Sequence, residues 1–148
     1  MPELLGLKAG DIFTWENYPF FEHEEKIRRW FLFLGYQSIE AMVFQITTTT
    51  KLHYYQHGNK RGNHNFFKLP ANIGGLEQES IIDLTLYFER RQEKDFVNYQ
   101  SDIHKQGTLK QDQINTLVRC IKSDKKIPQI IKKDIYGYLK DAGFKVTV

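Results

Sequence analysis

The sequence predicts an α+β fold, a small curled antiparallel β-sheet followed by helices at the C-terminal end. Three observations predict it. Apolar, β-branched and aromatic runs of strand length recur through the first part of the chain, clearest in Ile27–Leu34 and Met42–Thr50. Clusters rich in Gly, Asn and Pro separate these runs. Beyond Gly107 the apolar period lengthens to that of a helix. Strands first and helices last is the order of an α+β domain.

Residues 10–17 alternate apolar and polar and read as a first strand. Residues 18–25 form a loop containing Pro19. Strands follow at about 27–36 and 39–48, joined by a turn at residues 37–40. Residues 49–65 hold Gly58, Gly62, Asn59, Asn63 and Asn65 and read as a long loop or hairpin tip. Phe66–Leu69 is a short strand closed by Pro70, and Gly74-Gly75 is a turn. Ser80–Glu89 reads as one strand with Ile82, Leu84, Leu86 and Phe88 on one face, and Asp95–Tyr99 as a short return strand. Thr108 and Gln111 have the spacing of a capping box ahead of a helix bearing Ile114, Leu117, Val118 and Ile121. Ser123–Lys126 breaks that helix. Pro128 suits the first turn of another, with Ile127, Ile130, Ile131, Ile135, Tyr138 and Leu139 as its apolar stripe and Gly143 as its cap.

At 148 residues the chain suits one domain, and a hydrophobic fraction of 41% is enough for a packed core. Cys120 is the only cysteine, so an internal disulfide is excluded. At an apolar helix position it reads as a buried small hydrophobe. No run approaches a membrane span, and a free thiol without a signal peptide leads us to expect a cytoplasmic protein. The net charge of +3 does not mark a nucleic-acid binder, but the charges are segregated. Residues 16–25 carry Glu16, Glu22, Glu24 and Glu25 and no lysine or arginine. Residues 51–68 carry Lys51, Lys60, Arg61 and Lys68 and no acid. Lys132, Lys133, Lys140 and Lys145 read as the solvated face of the last helix.

Five segments resemble the MazF/PemK family of toxin ribonucleases, in the family's order. Lys8-Ala9-Gly10-Asp11-Ile12-Phe13 resembles its opening strand, and Arg28-Arg29-Trp30-Phe31-Leu32-Phe33-Leu34 its Arg-Arg-Pro-Ala-Leu-Val-Leu strand. Phe44-Gln45-Ile46-Thr47-Thr48 resembles its Pro-Ile-Thr-Thr segment. Gly75–Leu84 resembles its Gly-Leu…Ser-Val-Val strand, and Lys105–Leu109 the approach to its closing helix. The resemblance covers about residues 7–121. Trp30 and Gln45 stand where the family has proline, and residues 123–148 run past its usual end. The resemblance implies an SH3-like β-barrel with its closing helix over residues 1–122; residues 123–148, outside the resemblance, read as an additional helix packed on the same domain. It also implies metal-independent cleavage of single-stranded RNA without a cofactor, in a toxin–antitoxin or stress and defence system. A homodimer and an acidic antitoxin partner are implied as well.

By this resemblance Arg29 is the catalytic arginine, stabilising charge on the phosphate, and Thr47 is the catalytic threonine. Thr48 replaces it if the register slips by one, because a slip exchanges sheet faces. On the residues alone, Arg29 reads first as a surface arginine paired with Glu22, Glu24 or Glu25, and only the resemblance brings the catalytic reading level with it. Arg28 points to the opposite face from Arg29. Of the histidines, His53 is best placed for proton transfer and His23 is second. His53 and His57 have helical ligand spacing, but the glycines and asparagines around them oppose a helix and no cysteine or carboxylate completes a set, so no metal is expected. Arg28, Lys51, Tyr54, Lys60, Arg61 and Lys68 are candidate RNA contacts, because single strands are held by cations and by stacking on rings. Two other readings stay open. One is a catalytically inactive barrel that binds RNA or a protein, and the other is a CcdB-like toxin acting on gyrase.

Overall fold

The computed structural model describes residues 4–21, 25–37, 39–48, 58, 65–72, 75–84 and 88–147. Its strands are β1 (Asp11–Trp15), β2 (Arg29–Gln37), β3 (Glu40–Thr48), β4 (Phe66–Leu69), β5 (Ser80–Asp83), β6 (Phe88–Gln92) and β7 (Ile103–Thr108). Helix α1 is Glu93–Asn98, α2 is Gln111–Ser123 and α3 is Gln129–Asp141. The fold is α+β, with the strands forming one antiparallel sheet in the order β4-β5-β3-β2-β1-β7, and β6 also paired to β3. Among the described residues no ladder joins β4 to β7, so the sheet is not closed into a barrel.

Period-two alternation gives the central strands two buried faces. Ile12, Leu32, Phe44, Ile46 and Ile82 face a core completed by Ile114, Leu117 and Ile121 of α2 and by Ile135 and Leu139 of α3. Phe13, Trp15, Phe31, Phe33 and Val43 face a second core closed by Tyr18, by Phe96 of α1 and by Leu4 and Leu7. This second core is mostly aromatic. Trp15 meets Tyr18 at 5.1 Å and Phe96 at 5.2 Å, both edge-on. Burial on both sides explains why β2 reads as an unbroken apolar run.

Several elements differ from the sequence reading. The single strand expected over Ser80–Glu89 is two strands, β5 and β6, along the same edge of β3. Between the pairs Ile46↔Ile82 and Phe44↔Phe88, β3 advances two residues while its partner advances six. The expected return strand at Asp95–Tyr99 is helix α1. Acidic Glu93 and Asp95 in its first turn suit a helix N-terminus, and the turn presents Phe96 to the aromatic core. Thr108 does not cap a helix; it ends β7 and its hydroxyl donates to Asp11 Oδ1 at 2.7 Å. The helix begins at Gln111, and its N-cap is Lys110, whose N–H donates to Gln113 Oε1 at 3.0 Å. Gly143, at φ +100°, caps α3 as expected: its N–H reaches Lys140 and the Phe144 N–H reaches Leu139, a Schellman pair.

Lys132 is also corrected, from a solvated face to a buried position 7% exposed. Its ammonium donates to the carbonyls of Lys122 and Asp124, two acceptors that the end of α2 leaves unsatisfied. Asp124 organises the same junction. It accepts the Lys126 and Ile127 N–H groups at 2.7 and 2.9 Å and the Asn65 amide at 2.8 Å. Burial by itself raises the Asp124 carboxyl. The Asn65 and backbone hydrogen bonds, with the Lys132 charge, outweigh burial and hold it below the ordinary value of 3.8. The stability it contributes is therefore complete above that value and is lost as pH falls through the lowered folded value. Urea unfolding across the acid range should show Asp124→Asn clearly less stable than wild type at neutral pH, with the gap narrowing below 3.8.

Candidate nucleic-acid interface

The end of the sheet where β2 begins and β3 finishes carries the candidate residues. Register arranges them in two rows, one on each face. In the first, Lys68 pairs with Ile81, Ile81 with Thr47, and Arg29 with Trp15. The β2–β3 ladder runs to Trp30↔Ile46, and one further step sets Arg29 across from Thr47. In the second row Leu69 pairs with Ser80 and Ser80 with Thr48. Alternation brings Arg28 to this side, beside Trp30. For Thr47 and Thr48 these are backbone positions.

The two arginines have different surroundings. Arg29 is half-buried, with its guanidinium over the Phe21 ring at 5.1 Å. Phe21 in turn packs on Tyr18, so this arginine sits at the rim of the aromatic core. Arg28 is exposed and its Nε donates to Glu16 Oε1, with side-chain exposures of 58% and 33% for the pair. A pair this exposed contributes about 0.2–1 kcal/mol, so an incoming phosphate can displace it.

Arg28 also lines a cleft of about 370 Å³ on the second row's face, together with Trp30, the 75–78 segment, Ser80 and Gln106. Trp30 is half-buried against the helical core and forms one wall. Two local devices hold the rest of the lining. The Ser80 hydroxyl donates to the Gln78 carbonyl at 3.1 Å, which ties the 75–78 segment to β5. Gly75, at φ +85°, lies so close to β7 that a Cβ there would stand 2.9 Å from both Gln106 Cβ and the Gln106 carbonyl oxygen. Only glycine fits both the conformation and the approach.

The structure thus brings together Arg28, Arg29, Lys68 and the backbone positions of Thr47 and Thr48. Lys68 is exposed on edge strand β4. Lys51, His53, Tyr54, Lys60, Arg61 and His23 lie outside the described residues. The sequence reading missed the cleft walls. Gly75 read as an ordinary turn glycine, and Gln78 and Gln106 carry no titratable group to draw notice. Among the described residues no group of histidine, cysteine and carboxylate side chains is arranged to hold a metal ion. Among the same residues no helix is long and apolar enough to cross a membrane. No protein-family model and no curated protein matches this chain.

Proposed function

We propose that this chain is a MazF/PemK-like endoribonuclease that cuts single-stranded RNA without a metal ion. The observation that carries the reading is the pair of consecutive guanidinium groups at one end of the sheet, with the last residues of β3 at the register positions beside them. Supporting it is the connectivity: a β1-β2-β3 meander with β5 on the other edge of β3, and a late strand β7 that returns to the free edge of β1 before a helix, as an SH3-like barrel would require. The reading extends to a homodimer in the cytoplasm, held in check by an acidic antitoxin.

In the proposed reaction the RNA 2′-oxygen attacks the adjacent phosphorus. A P–O2′ bond forms and the P–O5′ bond breaks, leaving a 2′,3′-cyclic phosphate and a 5′-hydroxyl. One proton leaves the 2′-oxygen and one reaches the departing 5′-oxygen. Arg29 neutralises the charge added at the phosphorus, and the Thr47 hydroxyl orients a phosphate oxygen. Arg28 grips the chain beside the cleft, with Thr48 in the row on its side of the sheet. Lys68, on the row of Arg29 and Thr47, attracts the backbone.

A second reading, RNA binding without cleavage, is favoured by one observation. Both guanidinium groups already have partners, Phe21 for Arg29 and Glu16 for Arg28. Incubating the purified protein with labelled single-stranded RNA in EDTA separates the two. Fragments support the nuclease, intact RNA retained with salt-dependent affinity supports the binding module, and no retention contradicts both. Glu16→Gln, which frees Arg28, is expected to raise RNA affinity a few-fold. Fluorescence polarisation over a salt series measures this; an unchanged affinity would take Arg28 out of the interface.

A further inference from the structure

The RNA reading assigns the rim to phosphate but leaves the cleft without an occupant. We propose that the cleft is a nucleobase subsite, in which Trp30 supplies the stacking face and Gln106 reads the base edge. This rests on the reading above and adds the part of the substrate that the rim does not hold.

Size comes first. Ligand clefts run from about 300 to 1,000 Å³. At about 370 Å³ this one is at the small end, fit for one base and its sugar rather than a folded partner. Its lining joins the Trp30 ring to the amides of Gln78 and Gln106, with Arg28 and Glu77 as its charged groups, a mixture that suits a base. Trp30 rests against the helical core, which holds the indole in place and leaves its remaining surface to the cleft. Arg28 lines the same cleft two residues before Trp30, so a phosphate joined to a base stacked on Trp30 would have a guanidinium to meet.

Gln106 is oriented by its neighbours. Thr14 is buried, and its hydroxyl donates to the His104 carbonyl at 3.4 Å. Having spent its one hydrogen there, the hydroxyl accepts from Gln106 Nε2 at 2.9 Å. The Gln106 carbonyl oxygen is thereby turned away from Thr14 as an acceptor, suited to an N–H on the edge of a base. Gly75 fixes the distance between the walls: with φ +85° and a virtual Cβ at 2.9 Å from Gln106, any side chain there forces the 75–78 segment away from β7.

The test is titration of the full chain with AMP, CMP, GMP and UMP, followed by tryptophan fluorescence and calorimetry. Trp15 is 1% exposed and serves as a silent internal reference. Saturable quenching is expected, together with different affinities among the four nucleotides. Trp30→Ala should weaken binding about tenfold or more, the scale of one lost base stack, while Trp30→Phe keeps most of it by calorimetry. Gln106→Leu should level the differences among bases. Gly75→Ala should weaken binding while circular dichroism shows the fold retained. Nucleotide affinity unchanged in Trp30→Ala, or no nucleotide binding by a wild type that cuts RNA, overturns the subsite and leaves the nuclease reading standing. Nucleotide binding that depends on Trp30 in a protein that leaves RNA whole supports the subsite and removes the nuclease.

Discussion

Arg29→Ala is expected to lower RNA cleavage by about 10²–10³-fold, the scale of one lost donor to a developing oxyanion. The loss should fall on kcat, because in the proposed mechanism the guanidinium meets charge that appears only in the transition state. Arg28→Ala should behave differently, raising KM more than it lowers kcat, since the proposed role of that arginine is to hold backbone beside the cleft. Arg29→Lys should recover little, because an ammonium keeps the charge but loses the planar fork. Removing Arg29 also removes its contact with Phe21 at 5.1 Å, a stabilisation of about 0.5–1 kcal/mol. A thermal melt beside each assay separates that small structural effect from the catalytic one. Normal cleavage by Arg29→Ala would take this residue out of the mechanism.

The largest stability effect is expected at Gly35. A Cβ there would lie 2.0 Å from Tyr138 Cδ2 and 2.3 Å from Cγ, well inside contact distance. Tyr138 has little room to give. It is 9% exposed, belongs to the helical core, and donates its hydroxyl to Gln37 Oε1 at 2.8 Å. The close approach occurs where β2 slips register against β3, between Phe33 and Gly35, so the bulge and the seat of α3 are one feature. Gly35→Ala should cost about 3 kcal/mol by urea unfolding, the upper part of the range for overpacking. Combined with Tyr138→Ala, the loss should be smaller than the sum of the two single losses in a double-mutant cycle. A neutral Gly35→Ala would mean that α3 does not pack on β2 as described.

The central hairpin was legible in the sequence because its chemistry is one-sided at every level. β2 and β3 are apolar on both faces, strongly β-forming and bounded by polar turns, so Arg29–Gln37 and Glu40–Thr48 lie within two residues of expectation. Helices α2 and α3 were legible through their apolar period, and α3 also through Pro128 and Gly143 at its ends. β7 was not, because Ile103–Thr108 is mostly polar and exposed and becomes a strand only by pairing with the free edge of β1. Lys132 illustrates the opposite failure. Its helix position looks solvated, and only the nearby end of α2 explains a buried ammonium. At the site, alternation was enough to put Arg28 and Arg29 on opposite faces. The cleft was not legible, since it depends on Gly75 meeting Gln106 across the fold, a contact between residues that carry no signal of their own.

The most direct test of the account is the end-group chemistry of RNA exposed to the wild-type protein in EDTA. Fragments ending in 2′,3′-cyclic phosphate and beginning with 5′-hydroxyl are the predicted result, since the proposed mechanism draws its charge and hydrogen bonds from Arg28, Arg29 and the β3 threonines and needs no metal. Intact RNA, or fragments with 3′-hydroxyl and 5′-phosphate ends that appear only when a divalent ion is restored, would contradict it.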